Sequence, residues 1–344
     1  MVKIKLFLEE VGKIMKPYPV YAVGGCVRDY LLNIIPKDYD FCTNASPEII
    51  EKKIKESGKR AYLTGKRFGT IGCKINGEII EITSFRSEEY TKGSRKPKVK
   101  YVKSISEDLY RRDFTINAMA LRLTKKGLKL IDNHKGKEDL KNGIIKCVGT
   151  PRQRFKEDSL RMLRAVRFAC RFNFKIEANT FKKMQERALT ILDISKERWV
   201  MELDKILSCD NVELGLNLLW DSNLFRFMIP EMQSQRGFEQ NSKYHNYTLD
   251  EHTIIVVKNI PKEDLNLRWA GLLHDIAKPF VQTHHPKGHC NYIGHGKLGA
   301  DIVKRLARHL KFSNDRTDTI IELVENHLEE NSILKPYDNI GKRK

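Results

Sequence analysis

The sequence of 344 residues lacks any apolar run approaching the ~20 residues that a membrane span needs. Its opening, MVKIKLFLEEVGKIMK, breaks hydrophobicity with a charge every few residues, unlike a signal peptide. No C-x-x-C pair is present: the seven cysteines (Cys26, Cys42, Cys73, Cys147, Cys170, Cys209, Cys290) are odd in number and scattered. That excludes a disulfide framework and a cysteine-based zinc or redox motif, leaving small core residues in a reducing compartment. No internal repeat is evident, and low complexity is confined to the final Gly-Lys-Arg-Lys. Acid is scarce, with 44 Asp and Glu against 63 Lys and Arg, a net charge of +19. Such an excess fits a polyanionic partner, nucleic acid rather than a membrane, because no basic amphipathic anchor stands out. A genome that favours lysine codons would give the same sum without a partner. With 40% hydrophobic residues, 15 Phe and 12 Tyr, the chain is too apolar for disorder. The expectation is a soluble, cytoplasmic protein of at least two domains.

Apolar positions at helical spacing run from Ile4 to Met15 until Pro17 and Pro19 stop them. Tyr21-Ala22-Val23 reads as a strand entering Gly24-Gly25, followed by a helix through Leu32 and a second strand from Asp38 to Phe41. GTIGCKI (69–75) and EIIEITSF (78–85) alternate β-branched residues across Asn76-Gly77, a hairpin signal. From Glu157 onward the period is helical almost throughout. Boundaries are expected near 150 and near 240, where the polar stretch QSQRGFEQNSKYHNY interrupts the helical pattern. This gives domains of 1–150, 151–239 and 240–344.

Asp38 and Asp40 are one residue apart, so on a strand both carboxylates project from one face. There they could share a pair of Mg²⁺ ions that clamp the attacking and leaving oxygens of an in-line phosphoryl displacement. D-x-D alone is equally a solvated turn. Gly24-Gly25 follows an apolar strand and opens a helix, so backbone N–H groups there can receive phosphate, with Arg28 one turn in to add charge.

These features together, AVGGCVRDYLLNIIPKDYDFCT, resemble the opening motif of the nucleotidyltransferase branch that contains bacterial tRNA CCA-adding enzymes and bacterial poly(A) polymerases. The resemblance continues in order through GKRFGTI (65–71), EITSFR (81–86), RRDFTINAMAL (111–121), DNHKGKEDL (132–140), EDSLRMLRAVRFACRF (157–172) and SKERWVMELDKIL (195–207). It implies a multidomain fold: an α/β, mixed-sheet, polymerase-β-like head with a five-stranded sheet, then an all-α neck and a helical body. Asp38 and Asp40 would carry catalysis and hold Mg²⁺, and Gly25, Arg28, Arg111, Arg112, Asp113 and Asn117 would line the nucleotide site. Arg111, Arg112, Asp113 and Asn117 would touch ribose and phosphates, although an exposed basic helix start capped by Asp113 is the plainer reading of those residues. Glu81 is a candidate third carboxylate.

On a helix counted from Glu157 at about 100° per residue, Arg161, Arg164 and Arg167 lie opposite Met162, Leu163, Val166 and Ala169, with Arg161 within reach of Asp158. A structural ion-pair ladder would show the same pattern. Cytosine and adenine, however, share an exocyclic amine beside an unprotonated ring nitrogen. A carboxylate accepting from the amine and a guanidinium donating to the nitrogen would admit C and A and reject U and G. The resemblance implies those roles for Asp158 and Arg161, with Arg164 and Arg167 near the triphosphate. RSEEYTKGSRKPKVKY, between Phe85 and Val102, is too irregular for either period and is expected to be a mobile loop. In the family a loop here accompanies the switch from C to A addition, and Arg86, Tyr90, Arg95 and Pro97 keep it at full length.

Near the C-terminus, His252, His274-Asp275 and His295 resemble the ligands of an HD-type metal-dependent phosphohydrolase domain, which would hold a second divalent metal. That pattern should close with an Asp on a later helix, but Asp315 and Asp318 come too early and the chain ends soon after His327. The body is therefore expected to be shortened, with either a structural, tRNA-contacting role or hydrolysis of 2′,3′-cyclic or 2′-phosphates. The resemblance as a whole implies a CCA tRNA nucleotidyltransferase with tRNA as partner, CTP and ATP as substrates, and no DNA. An A-adding or CC-adding enzyme or a poly(A) polymerase shares nearly every motif, and an HD phosphohydrolase with an RNA-binding head is a further alternative.

Overall fold

The computed structural model describes residues 2–89, 98–241, 247–286 and 288–341, and the chain divides into two compact units, Met1–Asp158 and Ser159–Lys344.

In the first unit, strands β1 (Val20–Val23), β2 (Tyr39–Thr43), β3 (Ala61–Tyr62), β4 (Thr70–Ile75), β5 (Glu78–Ser84), β6 (Arg86–Glu89), β7 (Lys98–Tyr101), β8 (Ala120–Thr124) and β9 (Gly127–Ile131) follow in chain order. Seven of them form one mixed sheet, β3-β4-β5-β2-β1-β8-β9. β2 and β5 are parallel, and β1 pairs antiparallel with both β2 and β8. The sheet exceeds the five strands implied by the family because β3 and β9 each add a short edge strand to the inner five. Asn76 and Gly77, with φ of 48° and 88°, form the two-residue turn expected between β4 and β5.

Burial alternates strictly along β5: Ile80, Ile82 and Ser84 are buried, whereas Ile79 and Glu81 are exposed. The buried face packs under helices Val2–Met15 and Pro47–Glu56, where Phe7 meets Tyr39 and Ile50 and Ile54 are fully enclosed. On the opposite face the helix Ile105–Tyr110 supplies Leu109 to a cluster with Tyr21, Val23, Cys42, Phe85 and Ala120. That cover stops short of β5 and β4, so Glu81 and Lys74 stay exposed beside a partly exposed Asp40.

The segment expected to be an irregular loop is instead flanked by paired strands: β6 and β7 form a separate antiparallel ribbon. Backbone pairing there overrides a side-chain pattern that carries no period. Tyr90, Arg95 and Pro97 lie outside the described residues.

The second unit is helical apart from a short hairpin of Thr283–His284 with Cys290–Asn291. All three tryptophans are buried in it, and each indole N–H has an acceptor: Ile191 O for Trp199, Met232 O for Trp220 and Asp204 Oδ1 for Trp269. Thr248 and Glu251 form a capping box that opens the helix Leu249–Asn259 after the polar stretch. The helix expected from Glu157 is two helices. Pro151–Glu157 ends as Asp158 turns extended (φ −149°, ψ 106°), and a new helix runs Leu160–Phe172. Asp158 and Ser159 are residues whose short polar side chains compete with the helical backbone, so the break falls there. Among the described residues, no helix is long and apolar enough to cross a membrane.

Candidate functional site

Two clusters of acidic side chains are built on different elements. In the first unit, β2 brings Asp40 onto the partly open sheet face, with Asp38 just before the strand. The parallel register sets Glu81 abreast of Asp40. Burial, reinforced by the charges of Glu81 and Asp38 and opposed by Arg112, pushes the Asp40 carboxyl up to about 6. Asp40 and Glu81 lie abreast on one face with Asp38 two residues before Asp40, and Arg112 is the main charge that opposes them; carboxylate oxygens of this kind suit a hard divalent cation such as Mg²⁺.

Arg112 is held beside them by a buried acid. Asp108 accepts from Arg112 Nη2 (3.2 Å), from Arg111 Nε and Nη2 (3.0 and 2.9 Å) and from the backbone N–H of Arg86 (3.3 Å). Burial opposes the ionisation of Asp108, but the two guanidiniums outweigh it and hold its carboxyl below the usual range. Gly24 makes room for this arrangement: its φ of 73° with ψ of −131° suits only glycine, and a Cβ there would lie 2.6 Å from Arg112 Nη1.

Arg28, expected to add charge at a phosphate, is buried and donates to Asp29 Oδ1 (2.8 and 2.7 Å) and Asn117 Oδ1 (2.7 Å). Asn117 in turn donates to Asp113 Oδ1 (3.1 Å), which also accepts from the N–H of Phe114. These four residues tie the helix that begins at Gly25 to the 111–117 segment and carry it beside the carboxylates. A Cβ at Gly136 would strike the carbonyl of Thr115, so the DNHKGKEDL turn closes tightly against the same segment.

Asp158 is half-buried at the end of the first unit and is not on the helix that carries Arg161, Arg164 and Arg167. On that helix Arg161 is buried and Arg167 pairs with Glu202 at 2.8 Å. Arg164 and Arg167 both lie over the ring of Phe168, at 5.4 and 4.3 Å from its centroid.

The second cluster is fully enclosed. His252, His274, Asp275 and Asp338 form one set of potential ligands, and Asp275, His295 and His327 form another, so Asp275 serves both. His274 Nε2 lies 3.2 Å from His252 Nε2, 3.0 Å from Asp275 Oδ2 and 3.5 Å from Asp338 Oδ1, and His252 Nε2 lies 3.0 Å from Asp338 Oδ1. In the other set His295 Nε2 sits 3.1 Å from His327 Nε2 and 3.2 Å from Asp275 Oδ1. Each of His274, His295 and His327 turns Nδ1 to a backbone carbonyl, of Gly271 (2.8 Å), Tyr292 (2.6 Å) and Val324 (2.7 Å). Those carbonyls assign the proton to Nδ1 and leave the Nε2 lone pairs converging, an arrangement that needs a cation between them. The donor set of imidazoles and carboxylates fits a divalent transition metal.

Burial opposes the charge on Asp275, but His274 and Lys278 outweigh it and hold its carboxyl well below the ordinary range. His274, pushed down by burial but raised more by Asp275 and Asp338, reaches about 9. The structure thus brings His252, His274, Asp275 and His295 together and supplies the closing acid that the sequence reading lacked. Asp338, on the short helix Lys335–Asp338, closes the first set in place of Asp315 and Asp318. His327 and Lys278 were missed as well; Lys278 Nζ is 2.6 Å from Asp275 Oδ2. Only the spacing of Lys278, one turn after Asp275, was a local signal for any of the three.

Residues 20–146 match the family described as the Poly A polymerase head domain, 173–236 the probable RNA and SrmB-binding site of polymerase A, and 249–342 the HD domain. A CCA-adding enzyme of Ligilactobacillus salivarius (strain UCC118) is 42% identical over 211 residues, 61% of this chain and 50% of that protein. One of Staphylococcus haemolyticus (strain JCSC1435) is 40% identical over 212 residues, 61% of this chain and 51% of that protein. The chain spans about half the length of these curated relatives. The crystal structure of the Bacillus stearothermophilus CCA-adding enzyme in complex with CTP superposes with a TM-score of 0.57 and 25% identity, over 98% of this chain and 79% of that one. The Thermotoga maritima CCA-adding enzyme complexed with tRNA shares the fold, with a TM-score of 0.64 at 24% identity over 98% and 82% of the two chains.

Proposed function

Because the chain belongs to the family of poly(A) polymerases and CCA-adding enzymes, we propose that it adds C, C and A to the 3′ end of tRNA from CTP and ATP, without a nucleic-acid template. The observation that carries this reading is the group formed by Asp38, Asp40 and Glu81 on a partly open sheet face, with Arg112 beside it. Asp38 and Asp40 would hold Mg²⁺, which supplies charge neutralisation at the α-phosphate and at the departing pyrophosphate. The 3′-hydroxyl of the tRNA attacks the α-phosphorus, the bond to the β-phosphate oxygen breaks, and pyrophosphate leaves.

Arg112, fixed by Asp108, places a cation where negative charge develops. Asp40 is ionised above about 6, so its carboxylate is available at neutral pH. Asp158 and Arg161 carry the acceptor and the donor that distinguish C and A from U and G, and Arg164 and Arg167 carry charge that suits a triphosphate. Choosing CCA over A-only or CC-only addition rests on the full-length segment carrying Arg86, Tyr90, Arg95 and Pro97.

The test is mass spectrometry of a tRNA transcript lacking its last three nucleotides after incubation with enzyme, Mg²⁺, and CTP and ATP separately and together. The expected product is longer by C, C and A, ignores UTP and GTP, and falls about a thousandfold in rate with Asp38→Asn. Refusal of CTP with one or many A residues added would make the protein an A-adding enzyme or a poly(A) polymerase.

The shared Asp275 favours metal retention in the HD cluster, and hydrolysis of 2′,3′-cyclic or 2′-phosphates there would further require the cluster to open to substrate. Asp275→Asn should abolish hydrolysis of 2′,3′-cyclic AMP while leaving nucleotide addition intact. No hydrolysis by wild type, with nucleotide addition lost in Asp275→Asn, would show that the cluster serves only the first reaction.

A further inference from the structure

The carboxylates sit at one end of a row that crosses the whole side of the sheet. Asp40 on β2 is abreast of Glu81 on β5, Glu81 of Gly72 on β4, and Gly72 of Tyr62 on β3. Directly paired residues share a face, so Tyr62 stands on the same face as the acids, three strands or ~14 Å away. Gly72 leaves the floor between them bare, and a Cβ there would meet Tyr62 Cβ at 3.3 Å and Cδ2 at 3.6 Å, so the ring leans over the glycine. The Tyr62 residue is 36% exposed, and Arg60 holds its guanidinium 5.6 Å from the ring centroid. In the next row on this face Ile79, 65% exposed, pairs with the exposed Lys74.

An exposed ring flanked by cations and an aliphatic side chain, in line with a cluster of acids, fits a single-stranded nucleic acid better than a protein surface. Bases stack on the ring, Arg60 and Lys74 meet phosphates, and the strand's end reaches the acids. We propose that Tyr62 is a stacking platform for a base within the last few nucleotides of the RNA whose 3′-hydroxyl is presented to Asp38 and Asp40. This inference rests on the reading that the head extends RNA, and it names the path by which the strand approaches.

The experiment uses the full chain and a tRNA transcript ending in CC, with 2-aminopurine placed in turn at each of its last three positions. Stacking quenches the fluorophore. Wild type and Tyr62→Phe should quench at one position, whereas Tyr62→Ala should lose the quench and bind the transcript about tenfold more weakly. The KM for tRNA should rise by the same factor with the KM for ATP unchanged, a split that general loosening of the edge strand would not produce. Ile79→Asp, which keeps the ring but places like charge beside the phosphates, should weaken binding as well.

Equal quenching and affinity in wild type and Tyr62→Ala would overturn the platform, as would a rise in the KM for ATP instead of tRNA. Failure of the activity reading looks different: a wild type that adds no nucleotide but still shows Tyr62-dependent quenching keeps the platform and loses the CCA assignment.

Discussion

The head and the helical unit each gather carboxylates, and they treat the resulting charge in opposite ways. On the head Asp40 lies on a partly open face with two other acids, and its carboxyl is pushed up to about 6 because burial, aided by Glu81 and Asp38, outweighs the attraction of Arg112. In the helical unit Asp275 and Asp338 are buried among histidines and Lys278, which outweigh burial and hold both carboxyls below the ordinary range. The first arrangement leaves Asp40 only partly compensated, by Arg112. The second is shaped for ions that stay: imidazoles are fixed by backbone carbonyls and one carboxylate is shared between two sets. A partly open face leaves room for a ligand, whereas a resident metal is retained best in a closed cage.

Removing the shared acid should break this contrast most severely. With Asp275→Asn, metal analysis of the purified protein should find neither ion where wild type holds about two, one for each ligand set. Retention of one ion would show that the sets act independently.

The next effect is a pH dependence in the chelated protein. His274 is raised from 6.5 to about 9, so its contribution to stability is complete below 6.5 and is lost as pH rises through about 9. Thermal melts in EDTA should therefore fall across that window, and His274→Gln should remove the fall.

The smallest effect sharpens the comparison on the head. Asp40 is raised from 3.8 to about 6, so its ionised form disfavours the folded state at neutral pH. Asp40→Asn should raise stability by about 3 kcal/mol in EDTA at pH 8, a gain that fades as pH falls through 6 and is gone below 3.8. A variant less stable than wild type at pH 8 would mean that another charge already offsets Asp40.

The residues that could be read without coordinates are those whose chemistry depends on near neighbours. Asp40 faces the open side because a strand alternates, although the strand begins at Tyr39 and leaves Asp38 just ahead of it, Gly24 stands where a strand meets a helix, and Asn76-Gly77 turns a hairpin. Arg28 was legible as part of a motif but not in its role, since a basic residue in a motif looks the same whether it faces a phosphate or is buried against Asp29 and Asn117. The break at Asp158 escaped the helical wheel because the apolar period continues across it. Asp338 escaped because His252, its partner at 3.0 Å, is 86 residues earlier in the chain.

The sequence alone was enough for the opening strand-glycine-helix-strand unit, the 69–85 hairpin, the arginine spacing of the helix after Asp158 and the first ligands of the HD cluster, since each follows from spacing within a strand or a helix turn. Only the tertiary structure decided that Glu81, Gly72 and Tyr62 continue the row begun by Asp40, and that His327 and Asp338 complete the cage around Asp275. Strand register and helix packing set those juxtapositions, and both are fixed by burial of apolar faces far along the chain, which no local spacing encodes.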